Sequence, residues 1–279
     1  MKKISGILLS ALFLFSCDDL NKFTGGGDDE IVAGLKEALK VGTNSATSVL
    51  GTADGYLKDE AVKILLPEEA KPMFSAIQTI AGNEVLKTAV KLVGINLTSD
   101  FEDVLITAFN RAAEDAAPQA VNIFVNAITD MTLTDGKAIL FGENNRAATD
   151  YLIGHTLTSL TSAFSPVITA SLDKVKVGTY TAAGAWEFFA TQNNTLSDKL
   201  TEITGSTPVQ IAIALGSVSD SQLAVLKSVK RINTNIGAYV TGKSLDGLFL
   251  KVGDQEDKIR TDVNARTSDL LKRVFGQLD

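Results

Sequence analysis

The chain has 279 residues, of which 45% are hydrophobic, 21% charged and only 6% aromatic. The apolar content excludes wholesale disorder, and a net charge of −7 excludes the basic footprint that sequence-independent nucleic-acid binding requires. With one cysteine, Cys17, and one histidine, His155, neither an intrachain disulfide nor a His-rich zinc site can be built.

Residues 1–17, "MKKISGILLSALFLFSC", read as a targeting segment. Lys2 and Lys3 precede an apolar stretch from Ile4 to Phe15, shorter than the roughly 20 residues of a membrane-spanning helix. Leu14-Phe15-Ser16-Cys17 resembles a bacterial lipobox, with Phe15 bulkier than usual. That resemblance implies a signal peptide over 1–16 and lipidation at Cys17, which becomes the new N-terminus. Removing 1–16 takes two positive charges from −7 and leaves −9. Several acyl chains, at about 0.8 kcal/mol per buried CH2, give stable anchoring. "DDLNKFTGGGDDE" then reads as a flexible tether over 17–28. The expected location is the cell envelope, lipid-anchored at the outer membrane on its periplasmic or surface face, with the membrane contacted through the anchor.

Helical patterns begin at residue 29. Ile31, Leu35, Leu39, Ala46 and Leu50 recur at helical spacing, with Asp28 or Asp29 as N-cap and Gly51 as the stop. "TADGYLKDEAVKILLPEE" reads as a loop and a turn, with a restart at Pro67 and Glu68 and Glu69 in the first turn. The next helix takes Ser99 or Asp100 as cap and Phe101, Leu105, Phe109, Ala112 and Ala116 as its apolar face. Pro118 closes it and opens another that ends near Met131. A short helix, a break at Gly142 and a long helix from about Asn144 follow, and Pro166 is expected to start a further one. "KVKVGTYT" is the best strand signal but has no convincing partner nearby. Residues 195–235 are the least periodic, apart from "SDSQLAVLKSVKRI" capped by Ser219. The sum is an all-α single domain of roughly ten helices over 29–279.

Near the C-terminus Leu245, Leu248, Phe249 and Val252 form an apolar stripe that extends to Glu256, Ile259 and Val263. Asp262 is the expected N-cap of a last helix whose stripe runs through Leu270, Leu271, Val274 and Phe275, with Arg266 on or beside that line. A carboxylate on an apolar stripe needs a partner, because an isolated buried charge is too costly. A contact of Glu256 with Arg266 or Arg260 is therefore expected.

G-x-S-x-G, P-loop, H-E-x-x-H and EF-hand patterns do not occur, and His155 reads as structural. The candidate polar cluster is Arg111, Glu114 and Asp115, opposite an apolar helix face, with Arg146 and Asp150 four residues apart, Asp246, Glu256, Arg260 and Arg266. Surface pairs of this kind are worth a few tenths of about 1 kcal/mol each, so a solvated face is the plain reading of most of them. Neither metal nor cofactor is implied.

"GLKEAL" (34–39), "LPEE" (66–69), "NRAAEDAAP" (110–118), "AATDYL" (147–152) and "KSLDGLFLKVGDQEDKIRTDVNARTSDLLKRVFG" (243–276) resemble the bacterial family catalogued as domain of unknown function 4197. The resemblance covers most of 31–276, and the last block is its most specific part. Val263 stands where a proline is expected, and 180–235 follows the pattern least clearly. The resemblance implies a mostly helical, secreted or lipid-anchored envelope protein and brings no catalytic residues with it. The expected role is a module that binds a small molecule or a protein partner. The rivals are an envelope hydrolase using carboxylates and arginines, which does acid–base work without histidine, and a purely structural envelope protein.

Overall fold

The computed structural model describes residues 27–95, 102–142, 144–177 and 179–276. Cys17, the expected signal segment over 1–16 and the cap candidates Ser99 and Asp100, with Phe101, lie outside those residues.

Among the described residues the fold is all-α. In chain order the helices are α1 (Asp28–Leu50), α2 (Lys71–Ala81), α3 (Glu84–Leu92), α4 (Glu102–Ala116), α5 (Ala120–Asp130), α6 (Leu133–Phe141) and α7 (Ala147–Lys174). They continue with α8 (Ala182–Gly205), α9 (Thr207–Ala214), α10 (Asp220–Ser228), α11 (Gly237–Thr261) and α12 (Asp269–Phe275). The strand-like run folds back on itself. Lys176–Val177 pairs antiparallel with Tyr180–Thr181, so the missing partner was inside the run.

The centre is α7, with α4, α5, α8 and α11 against it; α1 lies across α5, α6, α11 and α12. A second group of α2, α3, α9 and α10 gathers on α8 or on one another. The pattern on α7 explains its length. Leu152, Thr156, Leu160, Phe164, Ile168 and Leu172 recur every four residues and are all buried. The sequence reading of Pro166 as a helix start is therefore corrected: Pro166 lies inside α7. Proline removes the donor to the carbonyl four residues back. Here that carbonyl belongs to Ser162, and both residues are exposed, so water can serve it while the buried stripe holds the two halves in line.

Helix ends follow local chemistry. Thr132 and Asp135 form a reciprocal capping box on α6, and Ser219 and Gln222 another on α10, as the sequence leads one to expect for Ser219. α1 is capped by Gly27, so Asp28 and Asp29 fall inside its first turn instead of preceding it. The stretch from 195 to 235 holds the end of α8, then α9 and α10. The irregular chain after them is fastened to α8 by side-chain amides: Asn193 Nδ2 donates to Lys230 O at 2.6 Å, Asn194 Nδ2 to Ile232 O at 3.0 Å, and Ile232 N to Asn194 Oδ1 at 2.8 Å.

α12 sits directly on α1. A Cβ added at Gly34 would lie 2.4 Å from Val274 Cγ2 and 3.0 Å from Val274 Cβ. Gly34→Ala gains about 1 kcal/mol of helix propensity but forces α12 outward, an overpacking cost of about 1–3 kcal/mol. We expect a net loss of stability in urea unfolding, with faster hydrogen exchange in α12. A variant more stable than the parent would mean that α12 moves freely on α1.

Candidate functional site

Arg111, Glu114 and Asp115 do not share one solvated face. From Ala108 onward α4 is buried nearly all round, since Asn110 and Glu114 are buried along with Phe109, Ala112, Ala113 and Ala116. The expectation of a wet face is corrected for this turn, because the loop over residues 51–67 covers it. Glu114 Oε1 accepts from the amides of Tyr56 and Leu57, each at 3.2 Å, and its other oxygen accepts from Arg111 at 2.6 Å. Asn110 Oδ1 accepts from Ile64 N, and its Nδ2 donates to Ile64 O, both at 2.8 Å. Arg111 reaches on to Asp54, whose carboxyl is held below its usual value first by Lys58 and then by Arg111. Asp54 itself sits at φ 69, a left-handed conformation that Asp tolerates better than most residues. Asp115 is exposed and accepts from Ser171 Oγ of α7 at 2.6 Å.

Glu256 and Arg260 form the second group. Glu256 is buried, as its place on the apolar stripe requires, and Arg260 Nη2 lies 2.9 Å from it. The carboxylate does more than balance a charge. It accepts from Ala148 N at 3.1 Å, from Thr149 N at 2.9 Å and from Thr149 Oγ1 at 2.8 Å. These are the second and third residues of α7, whose own N-cap, Arg146, makes no side-chain capping bond. Glu256 is thus the N-cap of α7, supplied from α11. Arg266 is also fully buried, and its described hydrogen bonds run from Nε to Ile259 O at 3.1 Å and from Nη2 to Arg260 O at 2.9 Å. A cation there serves the last carbonyls of α11. The expectation that Asp262 caps the last helix is corrected as well. Asp262 caps a single 3-10 turn, Val263–Ala265, while α12 begins at Asp269 under Ser268.

Arg146, Asp150 and Asp246 form the third group, in a cleft of about 680 Å3 between α7 and α11. The helices run antiparallel: Arg146 donates to Phe249 O at 3.4 Å at one end, and Thr169 approaches Gly237 at the other. Ile153, Leu157, Leu245, Phe249 and Leu250 make the apolar walls, and Leu157 is 44% exposed. Arg146 and Asp150 are not joined to each other. Asp150 accepts from Asn144 Nδ2 at 2.8 Å, Asp246 pairs with Lys243 at 3.1 Å, and the Arg146 guanidinium lies against Gly253, where a Cβ would fall 1.8 Å from Nη2.

Sequence reasoning missed Thr241. It lines the cleft and is 3% exposed, yet its hydroxyl has no hydrogen-bond partner. Among the described residues only Asn193 Oδ1 shares that condition. Other buried helical hydroxyls here are satisfied, Thr156 by Leu152 O and Ser244 by Val240 O four residues back, Thr149 by Glu256 and Ser171 by Asp115. An unserved buried hydroxyl costs on the order of 1–3 kcal/mol. The signal was present: Thr241 stands four residues before Leu245 on the stripe that drew attention to Glu256.

His155 is exposed, with Nδ1 2.8 Å from Tyr151 O and its ring stacked on Tyr151. Among the described residues no group of His, Cys, Asp and Glu could hold a metal ion, and no helix is long and apolar enough to cross a membrane.

A family model described as "Protein of unknown function (DUF4197)" matches residues 26–276. The chain belongs to this family. The match runs through 180–235, so the least regular part of the sequence lies inside the DUF4197 region. No curated protein and no solved structure matches the chain.

Within this DUF4197 fold, Glu256→Ala would leave two α7 amides unserved and the Arg260 guanidinium without its counter-charge, with only Ile139 O still accepting from it. We expect a loss of about 3–5 kcal/mol in urea unfolding, and an effect near zero would show that α7 does not depend on the carboxylate.

The loop over 51–67 gives a pH test. Lys251 lies 2.6 Å from Asp59 and holds its carboxyl below the usual 3.8. A lowered carboxyl stabilises the fold above its unfolded value, and that contribution fades as pH falls through the folded one. Asp59→Asn should therefore be less stable than the parent at pH 7 and approach it below about pH 4, as unfolding midpoints across that range would show.

Proposed function

We propose that the protein is a lipid-anchored helical module of the cell envelope, held at the outer membrane, that binds a ligand in the α7–α11 cleft. The observation that carries the binding role is the cleft itself. A volume of about 680 Å3 falls within the range of small-molecule sites, and mostly apolar walls with a few polar groups are their usual make-up. Thr241, a buried hydroxyl without a partner, adds a polar group inside those walls. The anchor rests on Lys2, Lys3, the apolar run to Phe15 and Leu14-Phe15-Ser16-Cys17.

The hydrolase reading has one observation in its favour, since Asp150 and Asp246 line the same cleft as Arg146. Acid–base work needs one carboxyl desolvated. Both of these are exposed and already bonded to a neighbour, while the two buried carboxylates, Glu114 and Glu256, serve backbone amides. Binding is the better account.

Gly242 supplies the test. It lines the cleft, is exposed, and a Cβ there would meet nothing within 4 Å. Gly242→Leu should fill the cleft while stabilising α11 by about 0.5–1 kcal/mol through helix propensity. A metabolite and lipid set screened by melting temperature should give hits on the parent that the variant loses. Hits that shift both proteins equally would remove the cleft from the account. Mass spectrometry of the native N-terminus should find acylated Cys17, and an unmodified chain starting at Met1 would remove the anchor.

A further inference from the structure

The charges of the cleft are gathered at one end. Arg146, Asp150 and Asp246 stand where the start of α7 meets the middle of α11, and the other end offers only Thr161, Ser165 and Ala238. Along α7 the lining runs from Arg146 to Ser165, about 28 Å at 1.5 Å per residue. A long trough with apolar walls and charges at one end has the shape of a single-chain amphiphile.

The signs of the charges narrow the head group. Arg146 is four residues from Asp150, yet it bonds to a backbone carbonyl at 3.4 Å and leaves its other N–H groups for an anion. Asp150 takes one bond from Asn144, and Asp246 one from Lys243, so both carboxylates keep lone pairs for a donor. A simple anion seated by Arg146 would meet Asp150 and the Lys243-paired Asp246, and a simple cation seated by those carboxylates would meet the Arg146 guanidinium and the Lys243 ammonium. A head with both charges a few bonds apart satisfies all three. Thr241 lies five residues from Asp246 toward the uncharged end, about 7.5 Å along the helix. That is the depth at which an ester or amide carbonyl joins such a head to its chain, and a turn about χ1 would bring the hydroxyl to it.

Resting on the cleft as the binding site, we infer that its ligand is a single-chain zwitterionic lipid: an acyl chain in the trough, its phosphate on Arg146 and its ammonium between Asp150 and Asp246. The test titrates the full chain with lauroyl lysophosphatidylethanolamine, laurate and laurylamine, each below its micellar concentration, by calorimetry and native mass spectrometry. The zwitterion should bind one per chain. Laurate and laurylamine should each bind about tenfold or more weakly, since each forfeits a charge-assisted contact and meets a like charge. Gly242→Leu should abolish binding, and Asp246→Asn, at an exposed position where folding is not at risk, should narrow the gap between the zwitterion and laurate. If laurate or laurylamine binds as tightly as the zwitterion and Gly242→Leu still blocks it, the cleft stands and the zwitterionic head is overturned. If the zwitterion binds the parent and Gly242→Leu alike, the cleft falls with it. If no probe binds, the lipid inference is overturned.

Discussion

The carboxylate of Glu256 is the contact on which the arrangement of the long helices depends. A helix start leaves four amides without partners, and α7 begins at a residue whose side chain does not cap. Glu256 answers from another helix, taking two amides and a hydroxyl of α7 and the guanidinium of Arg260. The negative charge lies at the positive end of the α7 dipole, which offsets part of its desolvation. Because amides are fixed on the backbone, this contact sets where α11 lies along α7. The facing residues that form the cleft follow from that register.

The same device recurs at lower cost. Arg266 serves carbonyls at the end of α11, Glu114 serves two amides of the loop over 51–67, and Asn110 pairs with both backbone groups of Ile64. Tyr56 completes that loop by donating from its buried hydroxyl to Ser244 O of α11 at 2.7 Å. Buried polar side chains here are spent mainly on main chain that helices and strands leave unpaired, which is what the cost of an unserved amide demands. Thr241 stands out against this background, and it does so in the wall of the cleft.

Much of the fold could be read from residue spacing. The stripe of α1 ending at Gly51, the restart after Pro67, the break at Pro118 and the Ser219 cap are local effects, set by propensity and by groups within a turn of one another. The burial of Glu256 was legible for the same reason, since its place on the stripe is local and only its amide partners are not. Some misreadings were local, such as the cap of α1 and the start of α12, but the two that bear on the site region were non-local. Pro166 breaks a helix on its own, but the buried line from Leu160 to Leu172 outweighs it. Glu114 looked solvated because its cover comes from a loop more than 50 residues earlier.

By itself, the sequence determined the all-α class, the helix positions, the DUF4197 membership and the need for a partner at Glu256. These rest on periodicity, caps and the cost of a lone buried charge, none of which requires knowing which helix lies beside which. Only the tertiary structure decided that Glu256 caps α7, that Arg146, Asp150 and Asp246 share one cleft while Arg111 and Glu114 hold a loop, and that Thr241 lacks a partner. Those facts depend on how distant segments lie against one another, α11 on α7 and the loop over 51–67 on α4, and such placements are set by contacts between residues tens to about a hundred positions apart, which leave no period in the chain.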